Sequence, residues 1–178
     1  MGKASVANPS GDSFVIEFHL NEAGADTKTG VTTTVETSLA VGHVGTGVTN
    51  PLTRWTAPWP CIVSEVFGEA QLTGSNDIVK YRVYKAPTGA PAAGTVVIEN
   101  STDGATSTSA IVLTATAANQ FQRVRYTGDP QTAGIGTDGF NETQKLMAIG
   151  EKLKATYQMG AAGDIASHMR CFVTVSRL

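Results

Sequence analysis

The sequence predicts an all-β protein: a single antiparallel β-sandwich, jelly-roll-like, with an extended N-terminal arm. Three observations predict it. Apolar residues recur with period two in several short segments, as half-buried strands require. Gly, Thr, Ser, Asn and Pro separate those segments at roughly even intervals, the turn spacing of a sandwich. Charged side chains make up only 16% of the 178 residues, and small polar residues take their place.

Apolar residues form 41% of the chain, enough at this length for one domain with a buried core and an extension. Residues 1–12 are small and polar and read as an arm. Phe14 to Leu20 is a short apolar strand candidate. Residues 21–30 are rich in turn formers, and Val31 to Val41 is β-prone through its Thr and Val content. Residues 42–50 form a Gly-rich connector. On this reading residues 1–50 are an N-terminal extension, partly β, that packs on the main domain or on a neighbour. Residues 51–178 are the sandwich.

Within the sandwich, Pro58 and Pro60 remove ladder donors and rule out a central strand there. Cys61 to Gln71 reads as a strand, and residues 73–77 as a turn. From Ile78 to Lys85, Val79, Tyr81 and Val83 alternate with Lys80, Arg82 and Tyr84. Short strands follow at 95–99, 110–116 and 121–126, then a Gly-rich loop at 128–141. Residues 142–149 are the one helix expected. Leu153, Ala155, Tyr157 and Met159 alternate with Lys152, Lys154, Thr156 and Gln158, and the alternating segment 169–175 closes the chain. This makes about seven or eight strands.

The net charge is −2 and no dense basic patch occurs, so no nucleic-acid partner is expected. No apolar run nears the ~20 residues that span a bilayer, so no membrane partner is expected either. The first residues lack the apolar segment of a secretory signal, which points to synthesis in a reducing cytoplasm. Cys61 and Cys171 are then expected as free, buried thiols. His19, His43 and His168 show no ligand spacing, so neither a metal nor another cofactor is expected. Gly42-His43-Val44-Gly45-Thr46-Gly47 lacks the lysine and the spacing of a phosphate loop and reads as a hinge. No G-x-S-x-G elbow is present. Glu65 and Glu69 share a strand face and are able in principle to flank a glycosidic bond, but a solvated face is the commoner use of such a pair. The sequons at Asn100 and Asn141 are chance matches in a Ser/Thr-rich chain. The chain is not expected to be an enzyme.

Trp55 and Trp59 are the only tryptophans. They sit in a Pro-rich segment beside Arg54, either as a plug over one end of the sandwich or as interface anchors. With the apolar residues of the extension they define a candidate interface: Phe14, Ile16, Phe18, Val31, Val35, Arg54, Trp55 and Trp59.

Three segments carry a family resemblance: Arg54-Trp55-Thr56-Ala57-Pro58, Ile149-Gly150-Glu151-Lys152-Leu153 and Val173-Thr174-Val175-Ser176-Arg177. Over residues 54–178 the chain resembles the jelly-roll or β-sandwich virion structural proteins of tailed bacteriophages, of the capsid decoration or head-fibre type. Related sequences carry Gly-Asp where this one has Gly150-Glu151, and C1q/TNF-like trimers share the pattern. The resemblance implies a capsid decoration, or cement, protein that binds the outer surface of an icosahedral shell and stabilises it. It implies a homotrimer, the major capsid protein or other virion proteins as partners, and a location in the virion. N-terminal arms in such proteins tie subunits together, and strand edges left unpaired in residues 1–50 would add to a neighbouring sheet. The alternative is a receptor- or glycan-binding β-sandwich of a phage fibre or spike, with Trp55, Trp59, Tyr81 or Tyr84 as its aromatic platform.

Overall fold

Two antiparallel sheets stack face to face in a computed structural model of the chain, which describes residues 13–20, 34–42, 52–85, 95–99, 110–126, 139–140 and 145–178. The strands in chain order are β1 (Ser13–His19), β2 (Thr37–Ser38), β3 (Ala40–Val41), β4 (Trp55–Thr56), β5 (Cys61–Leu72), β6 (Ile78–Lys85) and β7 (Thr95–Val96). They continue with β8 (Ile98–Glu99), β9 (Ile111–Thr114), β10 (Gln120–Tyr126), β11 (Gly139–Phe140), β12 (Leu146–Met147), β13 (Lys152–Met159) and β14 (Ala166–Arg177). Sheet one runs β10-β5-β14-β1-β3, with β12 added beside β5. Sheet two runs β2-β13-β6-β7, with β4 on β13 and β9 on β6, and β8 and β11 form a separate pair. The expected antiparallel β-sandwich is what the chain builds.

The period-two pattern explains the core. Val63, Val66, Cys171, Val173 and Val175 point inward from β5 and β14, and Val79, Tyr81, Val83, Leu153, Ala155 and Met159 point inward from β6 and β13. Each fully buried aliphatic side chain of this kind contributes roughly 1.5–3 kcal/mol. Gly68 makes room for Tyr81, because a Cβ at Gly68 would lie 2.4 Å from the Tyr81 ring. The Tyr81 hydroxyl donates to the Glu69 carbonyl at 2.7 Å, so the buried phenol is satisfied.

Two expectations change. β1 is seated in sheet one along one whole edge, so it does not offer both edges to a neighbour. It pairs with β14 from Ser13↔Ser176 to His19↔Arg170, and on its other side Phe18 and His19 alone pair with β3. Its apolar face, Ile16, Phe18 and Leu20, completes the core. Leu39 is also fully buried, between β2 in sheet two and β3 in sheet one. A cut at residue 50 would therefore open both sheets instead of releasing an appendage. The described part of the expected helix at 142–149 is extended instead. Leu146 and Met147 pair with Ile62 and Cys61, which buries Met147. A tight turn then follows at Gly150, whose φ is +84°.

Candidate functional site

The structure brings together three of the residues singled out in the sequence. Phe14 lies 5.3 Å from Trp55 and 5.7 Å from Trp59, centroid to centroid, in tilted and edge-on arrangements. Such pairs add about 0.5–1.5 kcal/mol beyond area burial. β4 carries Trp55 to the side of β13, where it pairs with Leu153. The prolines at 58 and 60 stop that strand after two residues and turn Trp59 back toward β14. There the Arg177 guanidinium sits 5.8 Å from the Trp59 ring centre. Ser13 and Ser176 share a 2.7 Å hydroxyl hydrogen bond beside the cluster. A shallow cavity of about 330 Å³ adjoins it, lined by Phe14, Val15, Ile16, Glu17, Val41, Gly42 and Trp55.

The remaining candidates separate. Ile16 and Phe18 are core residues, 3% and 0% exposed, so neither is available as an interface anchor. Val35 is exposed, and Val31 lies outside the described residues. Arg54 does not line the aromatic groove; it lines a second cavity of about 260 Å³ with Leu52, Thr53, Thr56 and Lys152. Tyr81 is fully buried and Tyr84 nearly so, which removes both from any exposed aromatic platform. The Gly-rich hinge beyond Gly42, His43 and both sequon asparagines lie outside the described residues.

The carboxylates considered for glycosidase chemistry are ion-paired. Arg125 Nε bonds Glu65 Oε1, Arg123 Nε lies 3.3 Å from Glu69 Oε2, and Arg170 Nε lies 3.7 Å from Glu69 Oε1. Phe67 and Phe172 stack between them at 4.3 Å, with the Arg123 guanidinium 4.6 Å above the Phe67 ring. Among the described residues no three His, Cys, Asp or Glu side chains converge as a metal site would require. Cys61 and Cys171 are buried, free thiols in sheet one. Burial pushes both thiols up, and Glu151 adds to the rise at Cys61.

Sequence reasoning missed the polar cluster on the outer face of sheet two. Residues 34–38 run beside β13, where Thr37 and Ser38 pair with Tyr157 and Thr156, and Glu36 anchors them. Its carboxylate accepts a 2.6 Å bond from Thr156 Oγ1 and lies 3.6 Å from Arg82 Nη1. Arg82 also donates to Gln158 Oε1 at 2.9 Å, and Gln158 donates to the Thr34 carbonyl at 2.5 Å. Burial holds the Tyr84 phenol well above its usual range, and its hydrogen bond to Glu36 adds to this. Burial lowers Lys154, as does nearby Arg54, while Glu36 acts in the opposite sense. No local signal in the sequence marks Glu36, because its partners lie far along the chain.

No protein-family model matches the chain, and no curated protein matches it. Among solved structures it is similar to a chain of "Structure of infectious bursal disease virus Gx strain", at 11% identity and a TM-score of 0.31. That similarity covers 92% of this chain and 40% of the viral one. A likeness at this level carries no argument about function. Fold and site together define an antiparallel β-sandwich with an aromatic corner at one margin of sheet one.

Proposed function

We propose that the chain is a virion structural protein: a bacteriophage capsid decoration protein that binds the outside of an icosahedral shell and stabilises it. On this reading its partner is the major capsid protein, and it sits in the virion as three copies about a local three-fold. One observation carries the reading. Two of the three segments that resemble phage virion proteins are hydrogen-bonded to each other, and the third reaches Trp59, one residue beyond the first. Ala57 N–H donates to the Glu151 carbonyl and Gly150 N–H to the Ala57 carbonyl, each at 2.8 Å, and Arg177 covers Trp59. They frame the aromatic corner, whose Trp and Arg side chains are the types that anchor protein interfaces.

A protein that binds only the assembled shell stabilises it by mass action. Mixing the purified chain with undecorated capsids should give a co-sedimenting complex and a raised shell melting temperature. Absence of binding, together with unchanged shell melting, would sink the proposal. A Trp55→Ala variant that still folds should bind at least about tenfold more weakly, as loss of a hot-spot tryptophan does.

A second reading, a receptor- or glycan-binding sandwich of a fibre or spike, draws on the same groove, which Phe14, Glu17 and Trp55 help to line. A glycan array with no hits for the folded protein would count against it.

A further inference from the structure

The outer face of sheet one carries its charge in columns, one to a strand. On β10 the column is Arg123 and Arg125, 58% and 63% exposed. On β5 it is Glu65 and Glu69, and on β14 it is Arg170. On β1 it is Glu17, 51% exposed, with exposed Val15 beside it. Strand register sets these groups in rows. Arg125, Phe67, Phe172 and Glu17 form one row, and Arg123, Glu69, Arg170 and His19 form the next. The groups reaching furthest into solvent are therefore cations at one margin and a carboxylate at the other. A recessed, stacked Phe pair lies between them.

We propose that this face pairs with the same face of a second copy, across a two-fold axis between β5 and β14 that runs near the strand direction. Rotation about that axis reverses the column order and keeps the rows. Arg125 then meets the second copy's Glu17, Glu69 meets the second copy's Arg170, and Phe67 meets the second copy's Phe172. Each contact occurs twice, as an isologous interface requires. The charges also select the axis. A two-fold lying across the strands would set each column on its own kind, arginines over arginines, which repels. A second copy is the occupant because the rotation itself supplies the matching order of columns; another protein would need the same alternation independently. At ~4.8 Å between strands the four-strand face is small, so the contact belongs to the weak, reversible class. Its attraction is screened by salt. The inference concerns the isolated chain and does not rest on the virion reading.

Sedimentation of the full chain over a concentration series tests it. At low ionic strength the solution species should double in mass as concentration rises, and the doubling should vanish in about 1 M salt, where screening is nearly complete. Arg125→Glu alone and Glu17→Arg alone should each abolish the doubling. Their equimolar mixture should restore it, because only the mixed pair has opposite charges at both sites. A wild-type chain of constant mass would overturn the proposal, as would a mixture of folded variants that fails to associate. Should either reversal prevent folding, Arg125→Gln and Glu17→Gln replace it. Each should weaken association about tenfold, and no change for both would overturn the proposal equally.

Discussion

Asp77 and Asp164 hold each other's turns. Asp77 Oδ2 accepts from the Gly74 N–H of its own turn at 2.6 Å and from the Ile165 N–H at 3.2 Å. Asp164 Oδ2 accepts from the Ala161 N–H of its own turn at 2.9 Å and from the Ile78 N–H at 3.1 Å. The two turns lead from β5 to β6 and from β13 to β14, so both join sheet one to sheet two. Each carboxylate satisfies backbone donors that would otherwise be partly buried and unmet. Asp77→Ala and Asp164→Ala should each destabilise the fold by about 2–3 kcal/mol, since hydrogen bonds to charged groups are the stronger kind. The double variant should lose less than the sum, because the two residues act on one structure. Denaturant unfolding of the four proteins checks both statements, and simple additivity would contradict the reciprocal clamp.

Gly68 is required by Tyr81. A Cβ would approach two atoms of the ring at 2.4 and 2.8 Å, closer than real Cβ contacts come. Gly68→Ala should therefore cost about 1–3 kcal/mol or more through overpacking. Tyr81→Phe should cost only about 1 kcal/mol, the net value of the lost bond to the Glu69 carbonyl. Thermal melting of the two variants should rank them in that order.

Alkaline pH should unfold the protein through groups the core keeps neutral. Burial raises Cys171 and Tyr81, so in the folded chain both stay protonated above their ordinary ranges. In the unfolded chain a thiol ionises near ~8.5 and a phenol near ~10. Stability is then fully present below those values and declines as pH rises through them, because the unfolded state alone releases the protons. Melting temperature measured against pH should fall above about 8.5 and more steeply above about 10. A thiol reagent should leave Cys171 unlabelled in the native protein and label it readily in denaturant.

Glu36 is the fastening point of residues 34–38. Its removal leaves Arg82, whose side chain is only 6% exposed, without that carboxylate. Glu36→Ala should destabilise by about 3–5 kcal/mol, the range for breaking a buried pair from one side. Glu36→Gln should lose less, because its amide oxygen still accepts from Thr156. Hydrogen exchange at Leu39, whose N–H donates to the Ala155 carbonyl at 2.9 Å, should accelerate more in the Ala variant than in the Gln variant.

Much of this fold was legible because alternation is a local signal. The strands at 78–85 and 152–159 follow directly from Val79, Tyr81, Val83, Leu153, Ala155 and Met159. The opposite faces of the same strands are not open to solvent as simple alternation suggests. Arg82, Tyr84, Lys154 and Thr156 are buried there, with Glu36 bonded across them from a distant segment, and no window along the chain contains both. The same reason hid the place of β1, since Phe18 pairs with Cys171 and a local reading sees only an isolated apolar run. At the candidate site, Trp55 and Trp59 were visible as a pair. Their convergence with Phe14 was not, because it needs β1 to be seated beside β14 first.

The pairing of Ser13 with Ser176 spans 163 positions of the chain. During synthesis, β1 emerges from the ribosome before β14 and waits for it to supply the partner edge. At about 5–20 residues per second, that wait is on the order of ten seconds. β5 waits too, since β14 lies between it and β1. Sheet one is therefore assembled from the centre only after translation has passed residue 177, and a chain halted before residue 166 keeps two long strand edges open to aggregation.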